Sequence, residues 1–394
     1  MLFRKDPYNP QFFLASLGAG GLVVSFFMYL MFMTKHNPLV NPIPTYNTLF
    51  KYFESGLSIS SGIFIQILIL LSCLGILYFG FLHYKLLFLN LRKYFKFRGT
   101  KDFENLKNSN SEVILMTIPL TLAMSLNVSF IIGVIFIPGL WSKIETLFPF
   151  ALVGFLLVGI YALKIFSEYF VRIIANKSFD FVENNSLSQM LSVFAFAMVG
   201  VGFAGPAAMS INKMTVSIAM VGTIFFITIA IFFGIIKIIL GFKSMLEYGI
   251  KKEASPTIWI VIPFLTILTI SFVRQKHGLH TGFGIHSENG SLFVLTTIAI
   301  SIQLIFAYIG YKVMKMNNYF KDYLHGEKKS VGSYALICPG VALVVSSFFF
   351  IHLGFVKTGV IEKFGLVYFL LILPVVFLQL KTIWIMIKLN KKLL

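Results

Sequence analysis

Ten long apolar segments run along this chain, and no other feature constrains its fold as much. They lie near residues 10–34, 59–90, 113–137, 144–172, 187–211, 214–246, 256–274, 291–316, 331–355 and 361–389. A helix rising about 1.5 Å per residue needs roughly 20 residues to cross a bilayer, and each segment reaches or approaches that length. Composition agrees. Apolar residues make up 57% of the 394, against about 45–50% in ordinary soluble domains, and charged residues only 12%. A water-soluble fold of this size cannot hide so much apolar surface. A cytosolic enzyme, a disordered chain and a disulfide-stapled secreted scaffold are therefore excluded together. The expected fold is an all-α polytopic membrane protein of ten transmembrane helices, with residues 1–394 forming a single transmembrane domain. The first segment is long, rich in Gly and Phe, and lacks a small-x-small cleavage site, so it reads as a span rather than a signal peptide.

Charge sets the expected orientation. The chain carries 33 Lys and Arg against 15 Asp and Glu, a net charge of +18. With the amino terminus inside, the inner segments hold 25 of the 33 basic residues, which places both termini in the cytoplasm. The stretch Arg92–Glu112, containing RKYFKFR, reads as a basic juxtamembrane loop facing anionic lipid heads. Nucleic acid is not an expected partner. Abundant Lys, Ile, Phe and Asn with few Arg suit a bacterial inner membrane. Two cysteines, Cys73 and Cys338, both inside apolar runs, exclude a disulfide framework and a four-Cys metal site.

A repeat is visible. Lys85, Lys164, Lys237, Lys312 and Lys381 stand near the inner ends of the even spans, at intervals of 79, 73, 75 and 69 residues. One such lysine merely snorkels; five at a near-constant period predict five related helical hairpins. The odd spans carry helix-breaking residues: Gly18, Gly20 and Gly21 in the first, Pro119 in the third, Gly200, Gly202 and Pro206 in the fifth, Pro263 in the seventh, Pro339 and Gly340 in the ninth. An interior Pro frees a carbonyl that lipid cannot satisfy. Even spans also hold Pro149 and Pro374, so the contrast is partial. The expected architecture is an inner group of kinked odd helices around a central pore, with the even helices outside.

Acidic residues are nearly missing from the spans. All four Asp (Asp6, Asp102, Asp180, Asp322) fall in the tail or loops, and Glu168 stands four residues after Lys164, where local pairing is expected. A cation pathway normally keeps a carboxylate at depth. Hydroxyls and amides on odd spans are available instead: Ser16, Thr117, Thr121, Ser125, Asn127, Ser129, Ser192, Thr266, Thr269, Ser346 and Ser347. Most are expected to bond the carbonyl one turn back. Arg274 at the outer end of the seventh span, followed by Lys276, His277, His280 and His286, reads either as a basic outer vestibule suited to anions or as an ordinary solvated loop. No phosphate-binding Gly-Lys loop and no H-E-x-x-H occurs, which removes ATP-driven pumping and zincin chemistry. The HGLH stretch has only Glu288 nearby and makes a poor metal site. His83 and His352 read as interfacial. No metal, no cofactor and no catalytic residue is expected.

Three short stretches carry a resemblance. NPQFFLASLGAGGL (Asn9–Leu22), SPTIWIVIPF (Ser255–Phe264) and SYALICPGVAL (Ser333–Leu343) are similar to patterns in the first, seventh and ninth spans of the tellurite-resistance/dicarboxylate transporter family, which includes TehA and the plant guard-cell slow anion channels. That resemblance implies ten spans in five hairpins, a central pore closed by a Phe on the ninth span, and a homo-oligomer, by likeness a trimer, with a dimer as the alternative. The chain departs from the pattern where Cys338 stands at the gating Phe position, a feature that resembles the TsoY-type branch. Phe348, Phe349 and Phe350 follow about three turns later, and a gate near Cys338 and Phe348 is expected.

Three functions follow as expectations, beside a structural or lipid-interacting scaffold with all polar groups packed and no continuous path. The first is a channel or passive transporter for small inorganic or organic anions. The second is a transporter of sulfur- or selenium-containing compounds that uses Cys338 as a soft or reactive contact. The third is a membrane thiol redox protein.

Overall fold

The computed structural model describes residues 8–36, 42–54, 62–285 and 290–394. Every regular element among them is helical. Ten helical stretches are long and apolar enough to cross a membrane, which fits a multi-pass membrane protein. Their α-helical parts are α1 (Phe13–Met33), α2 (Ile63–Phe97), α3 (Thr117–Phe136), α4 (Ile144–Asn176), α5 (Met190–Met209), α6 (Lys213–Tyr248), α7 (Val261–Phe283), α8 (Gly290–Met316), α9 (Ile337–Phe349) and α10 (Leu366–Leu393).

Burial separates them into two classes. In the odd spans 83%, 61%, 100%, 61% and 72% of the most apolar window is buried, in the even spans only 33%, 28%, 33%, 22% and 28%. The exposed faces of the even helices are themselves apolar, as with Leu71, Leu74 and Phe81 on α2 or Val221, Phe225 and Phe232 on α6. Water would not tolerate such continuous patches, and lipid does. The five buried helices touch one another in a closed sequence: α1 with α3, α3 with α5, α5 with α7, α7 with α9, and α9 with α1. Each also packs on the helix that follows it, α1 on α2 through α9 on α10.

The helix-breaking residues behave differently from the expectation. Pro119, Pro263 and Pro339 are each the third residue of an α-helix. A 3-10 segment precedes each: Asn110–Met116, Lys252–Ile260 and Val331–Leu336. The first turn of an α-helix can spare an N–H, so these prolines mark where the tight helix widens rather than kinking a span. Only Pro206, near the end of α5, is an interior proline of an odd α-helix.

The glycines do not break helices either; α1 and α5 run through theirs unbroken. They let neighbours approach. A Cβ on Gly18 would meet the Ile337 side chain at 2.8 Å, one on Gly20 the Met124 side chain at 2.6 Å, and one on Gly200 the Ile227 side chain at 2.9 Å. Gly202 is closed by Phe155 and Gly340 by Thr382 in the same way. Small residues at such crossings allow the van der Waals contact that holds helices together in lipid.

Other boundaries moved. The RKYFKFR stretch is not a loop: α2 continues to Phe97. Helix α7 extends to Phe283, nine residues past Arg274 and so about 14 Å along its axis. Glu168 pairs with Lys107 at 3.2 Å rather than with Lys164. Glu112, buried in the segment leading into α3, pairs with Arg172 of α4 at 3.0 Å. The link between α5 and α6 is short, and Asn212 caps α6 by accepting from the N–H groups of Met214 and Thr215.

Candidate functional site

The inner helices enclose a cavity of about 450 Å³, within the size range of small-molecule sites. All five contribute to its wall, joined by α4. Leu17 and Gly21 come from α1, Asn127 and Phe130 from α3, Met198 and Pro206 from α5, Pro263 and Thr266 from α7, Cys338 and Phe349 from α9. The lining is overwhelmingly apolar, and its one charged side chain is Arg274.

Arg274 gets there because α7 presents Pro263, Thr266, Ile267, Ile270 and Arg274 on one face, at the three- and four-residue spacing of a helix. Surrounded by protein, it still keeps accessible surface, as a group facing an internal cavity does. Its Nη1 donates to the Val201 carbonyl of α5 at 3.1 Å. No carboxylate pairs with it among the described residues.

Beside this cation the wall offers few free donors. The Thr266 hydroxyl lies 3.1 Å from the carbonyls of both Ile262 and Ala342, and 2.9 Å from the Ser346 hydroxyl. The Gln303 Nε2, reaching in from α8, lies 2.8–3.0 Å from the Ile262 carbonyl and the Thr266 and Ser346 hydroxyls, which share its two N–H groups. Asn127 donates to the Ala123 carbonyl at 3.1 Å and Ser129 to the Ser125 carbonyl at 3.0 Å. Thr117, Thr121 and Ser125 likewise bond carbonyls of the preceding turn and do not reach the wall.

Of the residues singled out in the sequence, the structure brings Gly21, Gly202, Pro206, Pro263, Cys338 and Arg274 together on this wall. Gly18, Gly20, Gly200 and Gly340 sit at helix contacts off this wall, the Thr121 hydroxyl lies 3.2 Å from the Phe13 carbonyl of α1, and Pro119 and Pro339 are buried away from the cavity. Phe348 is fully buried in an aromatic cluster with Tyr29, Phe32 and His352, and the neighbouring Phe349 faces the cavity instead. Lys276 lies off the wall, with its ammonium on the Ser291 hydroxyl at 2.6 Å. His286 and Glu288 lie outside the described residues. No group of three His, Cys, Asp or Glu is placed to hold a metal among the described residues.

Cys338 combines full enclosure by protein with residual accessible surface, again the mark of a cavity wall. Both thiols are free. Helix α9 passes directly into a π-helical segment, Phe350–Val356, a geometry frequent at functional sites. There His352 stands 2.8 Å from the Phe348 carbonyl and 3.0 Å from the Tyr368 hydroxyl. His83 is also fully buried, not interfacial: it bridges α1 and α3 through the Ser16 carbonyl and the Ser125 hydroxyl, both at 2.8 Å.

The period of five lysines hides one exception. Lys237 is buried while the other four are exposed. Its ammonium reaches the Gln189 carbonyl at 3.1 Å and the Ser192 hydroxyl at 2.9 Å, with the Phe166 ring centroid 5.2 Å away. Those acceptors and the aromatic face account for it structurally. No family model matches the chain, and no curated protein does.

Proposed function

We propose that this is an integral membrane conduit for anions, built as five helical hairpins around a central pore with both termini in the cytoplasm of a bacterial inner membrane. The observation that carries the reading is Arg274: a guanidinium on the wall of a cavity shared by all five inner helices, with a carbonyl but no carboxylate beside it. A buried cation without a counter-ion is costly and attracts an anion to take that place. The pattern of buried odd and exposed even helices supports the hairpin arrangement, and the asymmetry of Lys and Arg supports the orientation. The resemblance to the tellurite-resistance/dicarboxylate transporter family points the same way and adds a homo-oligomer, a trimer before a dimer. Passive movement needs no fixed negative charge in the pore; narrowing at Phe349 and Cys338 supplies the constriction.

The test is anion flux into liposomes. Chloride, nitrate, sulfite and thiosulfate are compared for the wild type, Arg274→Gln and Cys338→Ser. Loss of flux in Arg274→Gln is expected; equal flux in wild type and empty liposomes overturns the reading. The position of Cys338 on the cavity wall favours a second reading, transport of sulfur- or selenium-containing compounds through a soft thiol contact. In that case Cys338→Ser abolishes thiosulfate flux and spares chloride.

A further inference from the structure

The chemistry of the cavity says more than its charge. The cavity wall that carries the single guanidinium also carries Met28, Met124, Met198 and Met209, with Phe27 and Phe194 among the aromatic rings. A small inorganic anion surrenders its hydration shell only where several polar ligands replace the water. Here the wall hydroxyls and the Asn127 amide have acceptors of their own, so the cavity replaces few of those bonds. It suits an anion whose charge is confined to one end and whose remaining surface is apolar. Flexible thioethers adapt to such a body.

The wall also reaches the outside of the bundle. Leu147 and Phe150 of α4 line the cavity and are 39% and 72% exposed on the protein's surface. Their exposure lies on an outer helix whose neighbouring faces are apolar. These two side chains therefore join the cavity wall to the apolar outer face, where an amphipathic molecule partitions.

We propose that the Arg274 cavity binds an organic monoanion, its acidic group on the guanidinium and its apolar body among the Met and Phe side chains, with access past Leu147 and Phe150. This rests on the anion reading above and narrows its substrate class.

The experiment measures equilibrium binding to the purified full chain in lipid nanodiscs, with empty discs as the blank. The probes are benzenesulfonate and methanesulfonate. Both are permanent anions with the same head; only the first has an apolar body. Benzenesulfonate is expected to bind about tenfold or more tightly than methanesulfonate, since burial of each apolar carbon adds to affinity. Arg274→Gln weakens benzenesulfonate by about tenfold or more, and Arg274→Lys keeps most of it because the charge remains. Met198→Trp, which fills the cavity, removes benzenesulfonate binding, with thermal melting confirming the fold. Leu147→Trp at the rim slows association more than it changes equilibrium affinity.

Equal binding of the two sulfonates, or benzenesulfonate binding untouched by Arg274→Gln, overturns the proposal. Association unchanged by Leu147→Trp overturns the sideways access. The flux assay separates the two readings. Chloride flux that depends on Arg274 without selective benzenesulfonate binding leaves the conduit standing and removes this inference. Selective binding without flux of any anion does the reverse.

Discussion

Glu112 and Arg172 meet through one carboxylate oxygen: the arginine Nε and Nη2 each stand 3.0 Å from Oε2, and the Glu112 side chain is only 2% exposed. The arginine also donates to the Ser109 carbonyl at 3.0 Å, tying the segment before α3 to the end of α4. Removing one partner strands the other. Arg172→Ala is expected to destabilise the protein by about 3 kcal/mol, and Glu112→Gln in the same chain to recover part of that loss. Unfolding by SDS titration of the single and double variants measures both. Full additivity of the two changes would show that the pair is not coupled.

Two glycines on α5 make opposite predictions. The Cβ of Gly202→Ala runs into the Phe155 ring, whereas that of Gly205→Ala finds its nearest neighbour, Met209, at 3.5 Å. The first substitution is expected to cost about 1–3 kcal/mol through overpacking. The second leaves thermal stability within about 0.5 kcal/mol. Melting of the two variants in the same lipid decides it.

The Gln303 Nε2 ties α8 to the α7–α9 contact, its two N–H groups shared among the Ile262 carbonyl and the Thr266 and Ser346 hydroxyls, and its own Oε1 is buried without a partner. Gln303→Leu removes that orphan acceptor along with the bonds. Thr266 and Ser346 keep each other and nearby carbonyls. The expected loss is therefore small, about 1 kcal/mol. A loss several times larger in SDS titration would mean the glutamine does more than join these helices.

His325, in the connection between α8 and α9, sits 3.0 Å from the Lys388 ammonium through Nδ1. An ammonium only donates, so this ring nitrogen accepts and the imidazole is neutral. Desolvation, then the charges of Lys388, Lys381 and Lys392, hold its pKa below the ordinary value. A base depressed in the folded state binds protons more weakly there than when unfolded. Its contribution to stability is complete above the unfolded value, about 6.5, and is lost as pH falls below it. Titration of the labelled imidazole by NMR is expected to give a midpoint below that of free histidine, and Lys388→Ala to move the midpoint upward.

The ten spans were legible because hydropathy is a property of whole windows, and no tertiary detail alters it. What faces the cavity was not. The inner helices are apolar on every side, so α1 gives no stripe to separate Gly21 on the wall from Gly20 against Met124. Arg274 was placed at the end of its helix because a charge ordinarily closes an apolar run; here the apolar run ends but the helix continues for nine more residues, through QKHGLHTGF. Phe348 and Phe349 differ by one residue and hence by about 100° around the axis, which sends one into an aromatic cluster and the other to the cavity. Lys237 belonged to a regular series, and only Gln189 and Ser192, distant in sequence, distinguish it. The prolines were read as kinks because the 3-10 segments before them carry no signature of their own.

Helix α5 is buried over its entire apolar window and has the lowest mean hydropathy of the ten, 1.8. A helix enclosed in this way owes its whole surface to protein neighbours rather than to lipid. During synthesis it emerges between α4 and α6, whose outer faces are strongly apolar. Every face of α5 is therefore set by protein neighbours, and a substitution anywhere along it is felt as a change of packing.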